Sequence, residues 1–232
     1  MSTTINKIHG QRSNSFSEYL TSSPEILREA LSNLNLIIKT INQLGSNEDL
    51  DMKTILHSIA TSSNKLIQNS TTAIYLFDPI QDKFSQQPDA IAGDIDIFQT
   101  DTSPRQDGFG RAASSQRRKF LSYEDKSVPI HPELLKSGIK SMGCFPMVIL
   151  QQSMGVFYIY LNEDRKFNDF ELLMLENFVD QAAIAIHHNL LQENIRIALD
   201  RKEDEITRLH RAGLLISSRP RLNETLEAIL QM

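Results

Sequence analysis

The sequence predicts an α+β fold: a central antiparallel sheet with helices packed on one face, and long N- and C-terminal helices that form a dimeric bundle or coiled coil. Apolar residues recur at three- and four-residue steps near both ends of the chain, which is helical spacing. Between them lie short β-branched and aromatic runs, two of which are separated only by Gln151-Gln152-Ser153 and so pair as a hairpin. The composition is that of a globular protein: 232 residues, 40% hydrophobic and 23% charged. A net charge of −5 argues against bulk attraction to nucleic acid or an anionic membrane. The single cysteine, Cys144, excludes an internal disulfide framework and a Cys-rich zinc site. No apolar run approaches the ~20 residues that cross a bilayer, and the first residues carry no secretory pattern. The expectation is a cytoplasmic protein with neither nucleic acid nor membrane as a partner.

Residues 1–23 are rich in Ser, Thr and Asn without an apolar period, and read as a flexible leader. Ser23-Pro24 opens a helix whose stripe is Leu27, Leu31, Leu34, Ile38, Ile41 and Leu44. A second helix, about 51–69, turns Met52, Ile55, Leu56, Ile59, Leu66 and Ile67 inward. Thr71-Thr72-Ala73-Ile74-Tyr75-Leu76-Phe77 is a strand that Asp78-Pro79 stops, with 83–86 as a short partner. Residues 87–117 carry Pro88, Gly93, Pro104, Gly108 and Gly110 with no clear period, and read as a long irregular loop of the functional kind. A strand at 119–122, a short helix at 132–136 ending at Gly138, and the hairpin of 139–150 with 154–161 follow.

The remainder, from Phe167 to about Leu215, is one long helical stretch. Phe170, Leu173, Met174, Phe178, Ala182 and Ile186 form the face that packs on the sheet. Ile184, His188, Leu191, Ile195, Leu199, Ile206 and Leu209 then keep a coiled-coil rhythm with a stutter after Ile195. The expected dimer interface therefore comprises Leu27, Leu34, Ile38, Ile41, Leu191, Ile195, Leu199 and Leu209. Leu44-x9-Thr54-Ile55-x3-Ile59 matches Leu215-x9-Thr225-Leu226-x3-Leu230, so the tail repeats the start of the first domain. The layout expected is a leader at 1–23, a main domain at 24–191, a coiled-coil helix at 192–216, and the start of a second, truncated domain at 217–232. The chain then reads as a fragment of a longer protein.

Element order and wording together resemble a GAF domain, the small-molecule sensor module of signalling proteins. The likeness lies in Ala73-Ile74-Tyr75-Leu76-Phe77-Asp78, Asp107-Gly108-Phe109-Gly110-Arg111-Ala112, Gly138-Ile139-Lys140-Ser141-Met142 with Phe145-Pro146-Met147, Gly155-Val156-Phe157-Tyr158, and Phe167-x3-Glu171 with 178–186. It covers about 34–191 and extends to the start of a second GAF domain in the tail. The resemblance implies a ligand pocket on the sheet face opposite the helices, with Phe109, Arg111, Phe145, Met147 and Tyr158 at pocket-lining positions. Arg111 would meet a phosphate or carboxylate bidentately. The partners implied are a second copy of the chain and an unidentified small molecule.

No nucleophile, acid/base pair or metal set stands out, so catalysis is not expected within this chain. His187-His188 lacks a His/Glu partner one turn away, and no metal is expected. The methionine-sulfoxide-reducing branch of the family needs several cysteines. Bilin-binding relatives attach their chromophore through a cysteine in the loop–helix region, whereas Cys144 lies in a strand and reads as a small core residue. Haem-binding relatives need an axial histidine; His131 is the candidate, yet its place before Pro132 favours a capping or surface residue. Cyclic-nucleotide-binding relatives carry Asn-Lys…Phe-x3-Asp-Glu, and here Asn162, Lys166 and Phe167 are followed by Glu171-Leu172, which puts that ligand in doubt. The cofactor stays open. The function expected is a regulatory sensor that transmits ligand state through a dimeric helix bundle to an output domain, under two-component or cyclase regulation; the alternative is a dimerisation spacer with no ligand.

Overall fold

A computed structural model describes residues 51–98, 101–128 and 130–217, with Ser32, Asn35, Lys39, Glu227, Ile229 and Leu230. Ser32, Asn35 and Lys39 are helical and exposed, as polar positions of the expected first helix should be. The apolar residues of that helix, Leu27, Leu34, Ile38 and Ile41, lie outside the described residues, as do the leader and most of 217–232.

Helix α1 (Met52–Leu66) begins at Asp51, whose side chain accepts a hydrogen bond from the Thr54 N–H at 2.8 Å. Ile55, Leu56, Ile59 and Ala60 are buried along one face. Strands β1 (Ser70–Asp78), β2 (Lys83–Phe84) and β3 (Ala90–Ala92) follow, then a 3-10 turn (Ile95–Phe98) and helix α2 (Phe109–Gln116). Next come β4 (Phe120–Leu121), α3 (Pro132–Lys136), β5 (Ser141–Ile149), β6 (Gln152–Leu161) and α4 (Asp169–Ser217). The order in the sheet is β2-β1-β6-β5-β4, with β3 also paired to β1, and every pairing is antiparallel.

Two local outcomes differ from the sequence reading. The hairpin turn is centred on Leu150 (φ 48°) and Gln151 (φ 68°), two left-handed residues that match the strand twist; neither is the Gly or Asn that marks such a turn. The stretch expected as an irregular loop holds β3, the 3-10 turn and α2. Phe109-Gly110-Arg111-Ala112-Ala113-Ser114-Ser115-Gln116 mixes good helix formers with Gly110, Ser114 and Ser115, which are weak ones, and burial against the sheet adds to its stability: Phe109, Gly110 and Ala113 are buried.

Side-chain alternation gives the sheet two faces. Ile74, Phe145, Met147, Phe157, Ile159 and Leu161 join one core with the inner residues of α1 and α4. Phe157 meets Phe145 at 6.5 Å and Phe178 of α4 at 5.8 Å, both edge-on. The start of α4 is fixed by a reciprocal capping box: the Glu171 N–H donates to Asn168 Oδ1 at 2.8 Å, and the Asn168 N–H donates to Glu171 Oε2 at 2.9 Å. The other face carries Ala73, Tyr75, Met142, Cys144, Val156, Tyr158 and Tyr160, with Phe109 of α2 and Leu134 of α3 in the same core.

The chain divides into two compact units, Met1–Asn189 and Leu190–Met232. Within the second, Leu191, Ile195, Leu199, Ile206 and Leu209 are exposed at 47–68% of their surface, together with Leu214 and Leu215.

Candidate functional site

The second face of the sheet holds a cleft that four parts of the chain build. Thr102, Ser103, Pro104 and Arg105 line one side, and Gly108 and Phe109 bring in the start of α2. His131 and Leu134 come from α3, and Met142, Tyr158 and Tyr160 form the floor. The Tyr75 hydroxyl pins the first of these segments, donating to the Thr102 carbonyl at 3.0 Å with Thr102 Oγ1 at 2.9 Å. Tyr158 and Tyr160 stack with ring centroids 5.6 Å apart, and Tyr75 meets Tyr158 edge-on at 5.8 Å. The α2 backbone comes so close to this floor that a Cβ on Gly110 would lie 2.5 Å from the Tyr158 hydroxyl oxygen. Glycine is required there by space alone. The cavity left is about 20 Å³, room for about one water.

Hydrogen bonds and burial set the charge states. Arg105 forks onto Asp107, with Nε to Oδ1 at 2.9 Å and Nη2 to Oδ2 at 2.5 Å. The fork holds the Asp107 carboxyl below its usual range. The Asp101 carboxyl is lowered as well, by the Ser103 side chain first and then by the Ser103 N–H, which donates to it at 2.9 Å. His131 caps α3, its Nδ1 accepting from the Glu133 N–H at 3.3 Å, so the neutral ring carries its proton on Nε2. Burial first, and then the nearby Arg105, lower the His131 pKa against the pull of Asp101, Glu133 and Asp107. Burial raises Tyr158 and Tyr160 well above the normal tyrosine value, which keeps both hydroxyls protonated. The buried Cys144 thiol is pushed up likewise, against a lowering contribution from Tyr158, and thiolate chemistry is disfavoured.

Of the five residues expected to line a pocket, the structure brings two to the cleft, Phe109 and Tyr158. Phe145 and Met147 occupy the opposite face, in the core shared with α1 and α4; strand alternation turns Met142 and Cys144 to the cleft side instead. Arg111 is not among the lining residues. Its guanidinium forks onto Asp82 at 3.0 and 2.6 Å, and its centre lies 5.8 Å from the Phe77 ring. Sequence reasoning missed Arg105 and Tyr160. Tyr160 was findable, since it stands two residues beyond Tyr158 and so shares its face; Arg105 sits in a segment with no periodic signal.

The cofactor-related positions also have local roles. The basic run Arg117-Arg118-Lys119 is engaged throughout: Arg117 donates to the Gln151 carbonyl at 3.0 Å, Arg118 pairs with Asp125 at 2.8 Å, and Lys119 pairs with Glu176. Glu171, in the stretch compared with the cyclic-nucleotide signature, is occupied by the Asn168 N–H and by Arg165 at 2.9 Å. His131 lines the cleft, but a cavity of about 20 Å³ does not fit a porphyrin. Among the described residues no group of three or more His, Cys, Asp or Glu side chains is placed to hold a metal.

The comparisons with known proteins agree with the geometry. Residues 49–187 match the family described as the GAF domain. The GAF domain of an Acinetobacter phosphoenolpyruvate-protein phosphotransferase superposes with a TM-score of 0.54 at 16% identity, over 68% of this chain and 92% of that one. The GAF domain of the corresponding phosphotransferase from Coxiella burnetii gives 0.57 at 12% identity, over 70% and 98%. Residues 122 to 287 of a methyl-accepting chemotaxis protein give 0.51 at 21% identity, over 67% and 98%. At such identities the structural likeness speaks for the fold alone. No curated protein matches the chain.

Proposed function

The chain belongs to the GAF domain family, and we propose that it is the small-molecule-sensing regulatory module of a cytoplasmic signal-transduction protein, working as a homodimer. The observation that carries this reading is that one strand serves both faces of the sheet: Tyr158 and Tyr160 of β6 floor the cleft, while Phe157, the residue before Tyr158, lies on the opposite face and packs on Phe178 of α4. A ligand that lifts the 102–109 segment shifts β6, and β6 shifts a helix of 49 residues. It biases that equilibrium only by its differential affinity for the two states. The exposed stripe from Leu191 to Leu209 supports pairing of two copies as a coiled coil, which passes the change to an output domain such as a kinase or cyclase. Any catalysis belongs to that output. Among the described residues no helix is long and apolar enough to cross a membrane.

A second reading, a dimerisation spacer with no ligand, is favoured by the size of the cavity, since ligand pockets usually measure about 300–1,000 Å³. One experiment separates the two. The whole chain is screened by thermal shift against a panel of nucleotides, phosphates and carboxylates, and each stabiliser is carried into hydrogen exchange. The sensor reading expects a stabiliser that also changes protection along residues 190–215. A flat panel, with the chain still dimeric, selects the spacer.

A further inference from the structure

We infer that Lys119 and Glu176 form a clasp that ties α2 to the first part of α4 around the edge of the sheet, so that a displacement of α2 reaches α4 without passing through β6. Strand β4 is the edge strand beyond β5, and its two residues face opposite ways. Phe120 turns to the cleft side, where it meets Phe109 of α2 edge-on at 6.2 Å. Leu121 turns to the other face and joins the core that α1 and α4 share. Strand alternation puts Lys119 on the side of Leu121, and its ammonium pairs there with Glu176 of α4. Arg117 and Arg118 alone separate Lys119 from Gln116, the last residue of α2.

This short connection is held along its length. Arg117 closes α2 in the left-handed region (φ 52°) and donates to the Gln151 carbonyl of the hairpin turn at 3.0 Å. The centre of the Arg118 guanidinium lies 3.7 Å from the centroid of the Phe120 ring. Arg118 also pairs with Asp125 at 2.8 Å, and the other oxygen of Asp125 accepts from the Leu121 N–H at 2.9 Å. The α4 end has its own need of a cation. Glu176 and Asp180 stand one turn apart, a like-charge spacing that destabilises a helix, and burial and then Glu176 hold the Asp180 carboxyl above its usual range. Lys119 offsets that repulsion, so the connection that leaves α2 also steadies α4. The clasp is a property of the fold and stands whether or not the cleft takes a ligand. Under the sensor reading it gives α2 its own line to α4.

The test is native-state hydrogen exchange on the whole chain, with the change made on α4 and the effect read across the sheet at α2. In Glu176→Gln the protection of residues 112–116 is expected to fall about two- to fivefold, the range that a partly exposed ion pair can supply. Helix α1, which shares a face with α4, keeps its protection. Lys119→Gln gives the same fall, the two changes together give no more than either alone, and Lys119→Glu with Glu176→Lys restores the unaltered pattern. The two side chains are 32% and 42% exposed, so the variants should fold, and circular dichroism checks this. Should Lys119→Gln not fold, Lys119→Arg, which keeps the charge, is expected to retain α2 protection while Glu176→Gln loses it. The clasp is overturned by unchanged α2 protection in Glu176→Gln, by an equal loss in α1 and α2, by additive effects of the two single changes, or by no rescue in the exchanged pair. A flat ligand screen bears on the sensor reading and leaves the clasp standing; unchanged α2 protection beside a ligand hit does the reverse.

Discussion

Gly110→Ala in α2 is predicted to destabilise the protein, although the helix alone favours the change. In a helix interior Ala is better than Gly by about 1 kcal/mol, and Gly110 is the second residue of α2, so propensity argues for a gain. The packing argues the other way. The new Cβ falls 2.5 Å from the Tyr158 hydroxyl oxygen and 2.9 Å from Pro104 Cβ, and both neighbours are held: Tyr158 by its stack on Tyr160, Pro104 by the Tyr75–Thr102 hydrogen bonds two residues away. Overpacking of this kind costs about 1–3 kcal/mol, and set against a helical gain of about 1 kcal/mol it leaves a net loss of up to about 2 kcal/mol. Urea denaturation should show a lower midpoint at unchanged slope, and Tm should fall by about 2–4 °C for each kcal/mol. Tyr158→Phe removes the nearer of the two contacts, so the cost of Gly110→Ala should be smaller in that background. A stabilised Gly110→Ala, or an identical loss with and without the Tyr158 hydroxyl, would refute the close approach of α2 to β6.

Other outcomes follow from the same structure. Asn168→Ala should cost about 1 kcal/mol by removing one half of the α4 capping box, and Glu171→Gln, which keeps an acceptor, should cost less; urea midpoints read both. Asp125 has a carboxyl that burial pushes up but Arg118 and the Leu121 N–H pull down, with a net lowering. A depressed folded-state pKa contributes stability above the unfolded value, near 4, that is lost as pH falls through the folded one. Asp125→Asn should therefore reduce stability at pH 7 and flatten the acid limb of the Tm profile below about pH 4, and an acid limb unchanged in slope would contradict the pairing. Cys144, fully buried with its thiol pushed up, should react with a thiol reagent only upon unfolding, and rapid labelling of the native chain would contradict its place in the core.

Much of the fold was legible because its elements carry strong periods. The stripe of Ile55, Leu56 and Ile59, the Thr71–Phe77 run and the hairpin all appear where the spacing puts them. The Pro132–Lys136 helix begins, as read, after a capping His131. The cleft was harder to read, for a reason that lies in β5. Ser141, Met142, Gly143, Cys144 and Phe145 are all buried, since both faces of the sheet are covered, and a strand buried on both sides gives no alternation to tell one face from the other. Phe145 and Met147 thus went to the wrong face on the strength of the resemblance. Arg111 was read as an anion ligand because nothing local reveals Asp82, its partner from a distant hairpin. Short or glycine- and serine-rich pieces such as Ala90–Ala92 and Phe109–Gln116 are held by tertiary burial that local propensity does not report.

The pairing of two copies is the part of the account on which transmission depends, and light scattering of the intact chain measures it directly. The account predicts twice the 26.4 kDa chain mass, falling toward a single chain when Ile195 and Leu209 are both replaced by Glu. A monomer at high concentration in the unaltered protein, or a dimer untouched by those two charges, would contradict it.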